Sequence, residues 1–181
     1  MIEIRIHGRG GQGTVVAADL LALAFSKEGR FVQSFPSFGP ERRSAPLATF
    51  VRVDDMPIRL RCEIYNPHYL LVTDSSLLTY LDVTSGLRTD GWIVINSRRA
   101  PESFGLPSEF HVATIDANAI AIEHKLGTRT NPIANTTILG AFVKITGLMN
   151  INALAESIKE TIAERTEANI AAAREGYDRA N

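Results

Sequence analysis

"IEIRIHGRGGQGTVVAADLLALAF", residues 2–25, is the stretch that decides the fold class. Apolar and polar residues alternate over residues 2–7, which is typical of a half-buried strand. Four of the next six residues, 8–13, are glycines. A predicted helix follows over residues 14–26, and Asp19 is the one polar residue in its interior. Since a surface helix shows a polar face, we expect this helix to be covered on nearly all sides, by the sheet and by a second layer.

The rest of the chain alternates predicted strands with predicted helices. Further strands are predicted over residues 30–35, 47–55, 58–64, 69–74, 91–97 and 110–116. Further helices are predicted over residues 75–83, 117–127, 135–149 and 151–177. This alternation indicates an α/β domain with a largely parallel sheet. The two strands around Met56 and Pro57 predict an inserted hairpin. The expected fold over residues 1–181 is one domain, a Rossmann-like open, mostly parallel mixed sheet with helices on both faces.

The composition excludes several classes of function. The formal net charge is -1 over 181 residues, so nothing draws the whole chain to nucleic acid or to an anionic membrane. No apolar run of about 18 residues and no signal-peptide pattern is present, and a cytoplasmic location is expected. Histidines, acids and the cysteine show no spacing typical of metal ligands or of a nucleophile with its base. We therefore predict neither catalytic nor metal-binding residues in this chain.

The chain has a single cysteine, Cys62. It lies in one of the predicted strands, and a free cysteine there is expected to be a buried structural thiol. An iron–sulfur cluster requires about four thiolate ligands. This chain therefore cannot bind such a cluster alone.

Gly8, Gly10 and Gly13 fit the pattern G-x-G-x-x-G between a strand and a helix. In dinucleotide-binding folds such glycines make a tight turn, admit a pyrophosphate to the backbone, and let helix and strand pack closely. The amides at the helix start then face the anion. The alternative is a glycine-rich turn that only packs.

The second half of a dinucleotide site is missing from the sequence. NAD requires an acidic residue at the end of the second strand, roughly 20 residues further on. Pro36 and Ser37 stand there, and Glu28 precedes the strand. No Walker lysine follows Gly13, which argues against a P-loop NTPase. If the loop holds a ligand, a phosphate-bearing molecule other than NAD is expected.

Two adjacent arginines, Arg42 and Arg43, lie between Pro40 and Pro46 in the loop after the second strand. Prolines stiffen a loop, and guanidinium groups held in place bind phosphate well. The alternative is a solvated charge pair balanced by Glu41. The loop leaves the sheet next to the glycines, which favours a shared crevice.

Asn131 and Asn135 lie at the start of the segment "NPIANTTILGAF", which leads into the apolar helix predicted over residues 135–149. Asn135 is placed to cap that helix, and from such a position it can also reach a ligand. His7 ends the first strand, where a packed or capping histidine is expected.

These segments together resemble a known family. "IEIRIHGRGGQGTVVAADLLA", "FPSFGPERRSAP", "VRVDDMPIRLR", "NTTILGA" and "EANIAAAREGY" resemble the gamma subunit of the 2-oxoacid:ferredoxin or flavodoxin oxidoreductases. Their substrates include pyruvate, 2-oxoglutarate, 2-ketoisovalerate and indolepyruvate. The resemblance covers nearly the whole chain, and the pairing of G-x-G-G-Q-G with E-R-R-x-x-P is its most specific part.

The resemblance implies a role in oxidative decarboxylation of a 2-oxoacid to an acyl-coenzyme A. Thiamine diphosphate, Mg²⁺ and [4Fe–4S] clusters would then lie in partner subunits only: alpha, beta and a ferredoxin-like delta. Ferredoxin or flavodoxin would accept the electrons. In related single-chain enzymes the equivalent domain contributes to the coenzyme A site, with lysines in place of the arginine pair. The residues that would face coenzyme A here are Gly8, Arg9, Gly10, Gly11, Gln12, Gly13, Arg42, Arg43 and Asn135.

Two alternatives stay open at this point. One is a stand-alone Rossmann oxidoreductase that binds NAD or a flavin. The other is a structural subunit whose glycine loop binds nothing and fits a neighbour. The all-apolar first helix is expected to pack between its own sheet and partner subunits, since large permanent interfaces are apolar.

Overall fold

A computed structural model describes residues 1–37 and 44–180 and contains one sheet of six strands. The strands are β1 (Ile2–Arg9), β2 (Phe31–Pro36), β3 (Pro46–Asp54), β4 (Tyr69–Val72), β5 (Trp92–Asn96) and β6 (His111–Ile115). Their order is β2-β3-β1-β4-β5-β6. β3 is antiparallel to both of its neighbours, and all other pairings are parallel. The expected mostly parallel, mixed sheet is confirmed.

Five α-helices lie on one face of this sheet. They are α1 (Thr14–Lys27), α2 (Ala117–Glu123), α3 (Asn135–Thr146), α4 (Ile151–Thr161) and α5 (Thr166–Arg179). Their apolar residues join one core cluster with strand residues such as Ile4, Ile6 and Val51. On the opposite face, Leu70 and Ile93 pack under two 3₁₀ helices, Ser75–Thr79 and Pro101–Phe104, and under loops. Helices thus lie on both faces, but every α-helix is on the same one.

The apolar α1 is covered within the chain itself. Leu20, Leu21 and Phe25 are fully buried. The cover is α4, which packs on α1 and places Leu154 and Ile158 in the same cluster. The prediction that partner subunits cover α1 is therefore wrong, because the amphipathic α4 turns its apolar side, at i and i+4 spacing, onto that helix.

The single C-terminal helix predicted over residues 151–177 is also wrong. The chain leaves α4 at Ile162, and Arg165 adopts a left-handed conformation (φ 53°) just before α5. Breaking there lets α5 pack separately against α3. A Cβ on Gly140 or on Gly176 would overlap backbone of the facing helix, so the two helices approach closely at these glycines. The helices predicted over residues 75–83 and 117–127 are shorter than expected.

The strand predicted over residues 58–64 is wrong as well. β3 already pairs with β1 on one side and with β2 on the other, so the hairpin of this sheet is β2–β3. Residues 55–66, which we call the strap, instead cross the face opposite the α-helices. Side chains of that face hold the strap: Gln33 Nε2 donates to the Leu60 carbonyl at 2.9 Å, and Arg52 Nη2 to the Glu63 carbonyl at 3.1 Å.

Cys62 lies on the strap and is exposed, so the prediction of a buried thiol is wrong. Its sulfur is 3.7 Å from Arg52 Nη2. In the described ranges, no helix is long and apolar enough to cross a membrane. The cytoplasmic location stays a prediction.

Candidate functional site

A crevice opens at the carboxyl ends of the parallel strands, where such folds bind ligands. It is lined by residues that follow β1 and β4, by the last residue of β5, by Asn118 of α2 and by the segment that leads into α3. Its volume is about 190 Å³. The lining residues are Gln12, Thr73, Asp74, Asn96, Asn118, Thr130, Asn131, Pro132, Ala134 and Asn135. The lining is rich in amide and hydroxyl groups, which suits a polar ligand.

Gln12 brings the glycine loop to one wall of the crevice, and the glycines of this loop meet specific spatial demands. A Cβ on Gly8 would overlap the hydroxyls of Thr14 and Thr73. Gly13 has a φ of 75°, and a Cβ there would lie 2.6 Å from Asn135 Nδ2. Strand, helix and Asn135 therefore approach one another at distances that only glycine permits.

Several backbone N–H groups of this loop have no acceptor within the described part of the chain. The Gly10 amide donates to the Ala45 carbonyl at 2.9 Å and the Gln12 amide to the Arg9 carbonyl at 3.1 Å. The amides of Gly11, Gly13 and residues 14–16 make no such bond, and α1 has no side-chain cap. Free donors at the positive end of a 14-residue helix form a favourable place for an anion.

Two predicted site residues, Arg9 and Gln12, bond to Asp74 at the edge of the crevice. Arg9 Nε donates to Asp74 Oδ2 at 2.8 Å and Gln12 Nε2 to the same oxygen at 3.0 Å. Partial burial acts to raise the pKa of Asp74, but hydrogen bonds from Ser76, Gln12 and Arg9 outweigh burial and hold that pKa below its ordinary value. An ionised carboxylate therefore stands in the crevice wall at neutral pH.

Asn135 lies in the crevice wall, 6% exposed. The prediction that it caps α3 is wrong, since Ala134 occupies the cap position and no side chain caps this helix. Asn135 is the first helical residue, and its Oδ1 accepts from the Thr136 amide at 2.9 Å. Its Nδ2 group faces the backbone of Gly13. Asn131 also lines the crevice.

Sequence reasoning missed Asn96 and Asn118 on the opposite wall. Asn96 Nδ2 donates to the Thr73 carbonyl at 3.1 Å and to Asn118 Oδ1 at 3.0 Å. Asn96 Oδ1 accepts from the Ala117 amide at 3.1 Å. For Asn96 the available signal was a polar residue at the end of a buried, parallel strand, the position from which such sheets contact ligands. Asn118 lies in the first turn of α2.

A second groove of about 440 Å³ continues from the crevice and shares Asn118, Thr130 and Pro132 with it. This groove adds two arginines that the sequence did not single out, Arg98 and Arg129. The Arg98 side chain is 87% exposed, with Asp116 at 3.8 Å. Positive charge is thus available next to the crevice.

Arg42 and Arg43 lie outside the described residues. The residue after them, Ser44, donates its amide to the Gly10 carbonyl at 3.0 Å. His7 is packed, as expected, and its Nε2 is shielded from solvent with no partner among the described residues. Burial, and next the charge of Arg5, lower the pKa of His7 to about 4. The described ranges hold no group of three or more His, Cys, Asp or Glu side chains placed to bind a metal ion.

Residues 3–179 match the family model described as pyruvate ferredoxin/flavodoxin oxidoreductase. The chain belongs to this family. Pyruvate synthase subunit PorC of Methanothermobacter thermautotrophicus is 48% identical over 179 residues, 98% of this chain and 95% of that protein. The common subunit gamma of the pyruvate/ketoisovalerate oxidoreductases of Pyrococcus furiosus is 46% identical over 185 residues, 99% of this chain and 97% of the relative.

Solved structures of the family agree. Pyruvate oxidoreductase subunit PORC of Thermotoga maritima superposes with a TM-score of 0.84 at 33% identity, covering 98% of this chain and 95% of the other. A 2-oxoglutarate:ferredoxin oxidoreductase from Magnetococcus marinus, solved with 2-oxoglutarate, coenzyme A and succinyl-CoA bound, has the same fold over 30% of its longer chain. That match has a TM-score of 0.72 at 21% identity and covers 98% of this chain.

The chain is a gamma-type subunit of a multisubunit 2-oxoacid:ferredoxin oxidoreductase, as its sequence predicted. It therefore functions together with other subunits of the same enzyme. This assignment decides against the stand-alone NAD- or flavin-binding oxidoreductase. The family assignment does not distinguish a glycine loop that binds a ligand from one that binds nothing.

Proposed function

We propose that this subunit supplies part of the coenzyme A site of its complex, with the glycine-loop crevice holding a phosphate-bearing part of that co-substrate. One observation carries the proposal: the amides of Gly11, Gly13 and residues 14–16 point to no acceptor in the described chain, at the uncapped start of α1. Coenzyme A is a polyanion, and such an array of donors stabilises anionic oxygens.

The other walls suit the same ligand. Asn96, Asn118, Asn131 and Asn135 line the crevice with groups that both donate and accept hydrogen bonds. Arg98 and Arg129 add positive charge in the adjoining groove. Since coenzyme A carries phosphate at two separate places, a second cationic region beside the first is what such a ligand requires.

Arg42 and Arg43 complete the proposed site. The backbone next to them is fixed to the glycine loop, because the Ser44 amide donates to the Gly10 carbonyl and the Gly10 amide donates to the Ala45 carbonyl. We assign the pair to phosphate binding, with glycine-loop backbone, Asn135 and Arg42/Arg43 acting by binding rather than by chemistry. The thiamine diphosphate, Mg²⁺ and iron–sulfur clusters belong to the alpha, beta and delta partners, and ferredoxin or flavodoxin takes the electrons from the assembled complex.

The test is steady-state kinetics on the reconstituted complex carrying R42A/R43A. A charge-assisted hydrogen bond contributes roughly 1.5–3 kcal/mol, so the KM for coenzyme A should rise by about one to two orders of magnitude. The KM for the 2-oxoacid should stay unchanged. The matched control is R59A/R61A, which removes two exposed arginines of the strap.

Gel filtration first shows whether the variant assembles, and each result then has one interpretation. A selective rise in the KM for coenzyme A, absent in R59A/R61A, supports the proposal. Wild-type kinetics in R42A/R43A would favour a glycine loop that binds nothing. Failure to assemble, with loss of all activity, would instead make the arginine pair part of a subunit interface.

A further inference from the structure

Arg9, one of the residues predicted to face coenzyme A, instead binds other residues of the protein. All three guanidinium nitrogens already have protein partners. Nε donates to Asp74 Oδ2 at 2.8 Å, Nη1 to the Ser44 carbonyl at 3.0 Å, and Nη2 to Ser76 Oγ at 2.8 Å. The Tyr80 ring lies 5.6 Å from Arg9 Cζ. A guanidinium bound in this way cannot turn to a ligand without losing these contacts.

Asp74 is the partner whose charge matters for the crevice. It lines the crevice, and its hydrogen bonds favour the ionised form. A bare carboxylate there would repel a phosphate group across a partly desolvated space, where charges interact more strongly than in water. In the part of the chain that the structure describes, Arg9 is the cation that pairs with Asp74.

Arg9 also joins three separate segments. Its backbone amide donates to Gln12 Oε1 at 2.9 Å, and this hydrogen bond closes the glycine loop on itself. Its side chain then ties that loop to Ser44 and to the start of the first 3₁₀ helix at Ser76. The same residue thus fixes the loop wall of the crevice and neutralises the acid in it.

We propose that Arg9 is a positioning residue that contacts no phosphate: it neutralises Asp74 and locks the glycine loop, so that the crevice accepts a polyanion. This inference rests on the proposed function, because it takes coenzyme A as the anion. It assigns Arg9 a role opposite to direct ligation, and the two roles predict different kinetics when the acid is removed as well.

The experiment compares R9Q, D74N and R9Q/D74N in the reconstituted complex. R9Q leaves Asp74 unneutralised, and the KM for coenzyme A should rise about tenfold to thirtyfold. D74N alone removes both the charge and the acceptor shared by Arg9 and Gln12, so it serves as the reference for the double variant. In R9Q/D74N the repulsion is gone, so the KM should fall from the R9Q value towards the D74N value. The difference that remains measures the contacts of Arg9 with Ser44 and Ser76, and the KM for the 2-oxoacid should be constant throughout.

The matched controls are K27Q and K27Q/E160Q, which dissect a surface ion pair (Lys27 Nζ to Glu160 Oε2, 2.5 Å) at the far end of α1. Both should behave as wild type. Thermal unfolding of each variant separates a loss of stability from an effect on the ligand, because a pair that only stabilises the fold would shift the melting temperature and leave the KM unchanged.

Three results would overturn the inference. Equal KM values in R9Q and R9Q/D74N would show that Arg9 does not act by neutralising Asp74, with the coenzyme A site intact. A wild-type KM in R9Q, while R42A/R43A raises the KM, would leave the site in place and remove Arg9 from it. A wild-type KM in R9Q and in R42A/R43A alike would show that the proposed function itself fails.

Discussion

The face under the strap and the crevice are both lined by polar side chains, but they treat their hydrogen-bonding groups in opposite ways. Under the strap, Arg52 is 1% exposed and fully partnered. It donates to Glu3 at 3.0 Å, to Gln33 at 3.1 Å and to the Glu63 carbonyl at 3.1 Å. Beside the crevice, the amides at the start of α1 have no acceptor in the described chain.

The difference separates structure from function. Burying a polar group is costly unless it is hydrogen-bonded, so a partnered network specifies how the strap docks. N–H donors without an acceptor in the described chain can instead be stabilised by hydrogen bonds to a ligand. We therefore expect changes under the strap to affect the free energy of unfolding, and changes in the crevice to affect the KM for coenzyme A.

The largest effect is expected from R52M. Removing one partner of a buried ion pair costs about 3–5 kcal/mol of stability, because the other charge is left without its partner. Arg88 also lies 3.7 Å from Glu3, so we expect the low end of this range. The free energy of unfolding of the isolated chain, measured in urea, should fall by about 3 kcal/mol. R52M/E3Q should recover part of the loss. A wild-type unfolding curve for R52M would show that the strap network does not stabilise the fold.

His7 should make stability depend on pH. Its pKa of about 4 in the fold is below the ordinary value of 6.5, so the unfolded chain binds more protons between these values. Stability is fully present above pH 6.5 and should fall on acidification towards pH 4, by at most about 3 kcal/mol. H7Q should flatten the curve in this window. The remaining slope should come from His68, whose pKa is lowered by burial and by Arg88; an unchanged slope in H7Q would contradict the assignment.

N135A should act in the crevice rather than on the fold. Losing one neutral hydrogen bond costs about 0.5–1.5 kcal/mol, which corresponds to a rise of up to about tenfold in the KM for coenzyme A. Kinetics of the assembled complex measure this effect. Asn152, at the start of α4, provides the control N152A, which should leave the KM unchanged. An effect on the KM for the 2-oxoacid alone would place Asn135 in a different site.

The smallest effect is expected from R98Q/R129Q. These arginines lie in an open groove, and exposed charge pairs contribute about 0–1 kcal/mol. The KM for coenzyme A should rise a few-fold, and the rise should shrink as salt screens the charges. A KM that does not change at low ionic strength would exclude this groove from the site.

The sequence predicted the first strand, the glycine loop and α1 well because each depends on local pattern. Alternation at residues 2–7 and glycines with φ near 75–88° at Gly13 and Gly11 have local causes. The strap was not predictable from its pattern. Ile58, Leu60 and Ile64 alternate as in a strand, but whether an edge of β3 is free depends on β1 and β2.

The candidate site shows the same limit. The contact of Asn135 with Gly13 joins residues that are far apart in the sequence, and it depends on how α3 packs against the glycine loop. The pairing of Arg9 with Asp74 likewise depends on β1 and β4 being neighbours. Residue types predict candidate phosphate-binding groups. The fold decides which of these candidates already have hydrogen-bond partners within the protein.

Hydrogen exchange of the assembled complex, with and without coenzyme A, tests the central claim most directly. The account predicts that coenzyme A slows exchange of the amides of Gly11, Gly13 and residues 14–16, while the strap amides, residues 55–66, exchange as before. The 2-oxoacid alone should not protect the loop. Unchanged exchange in the glycine loop at saturating coenzyme A, with protection confined to other subunits, would contradict the account.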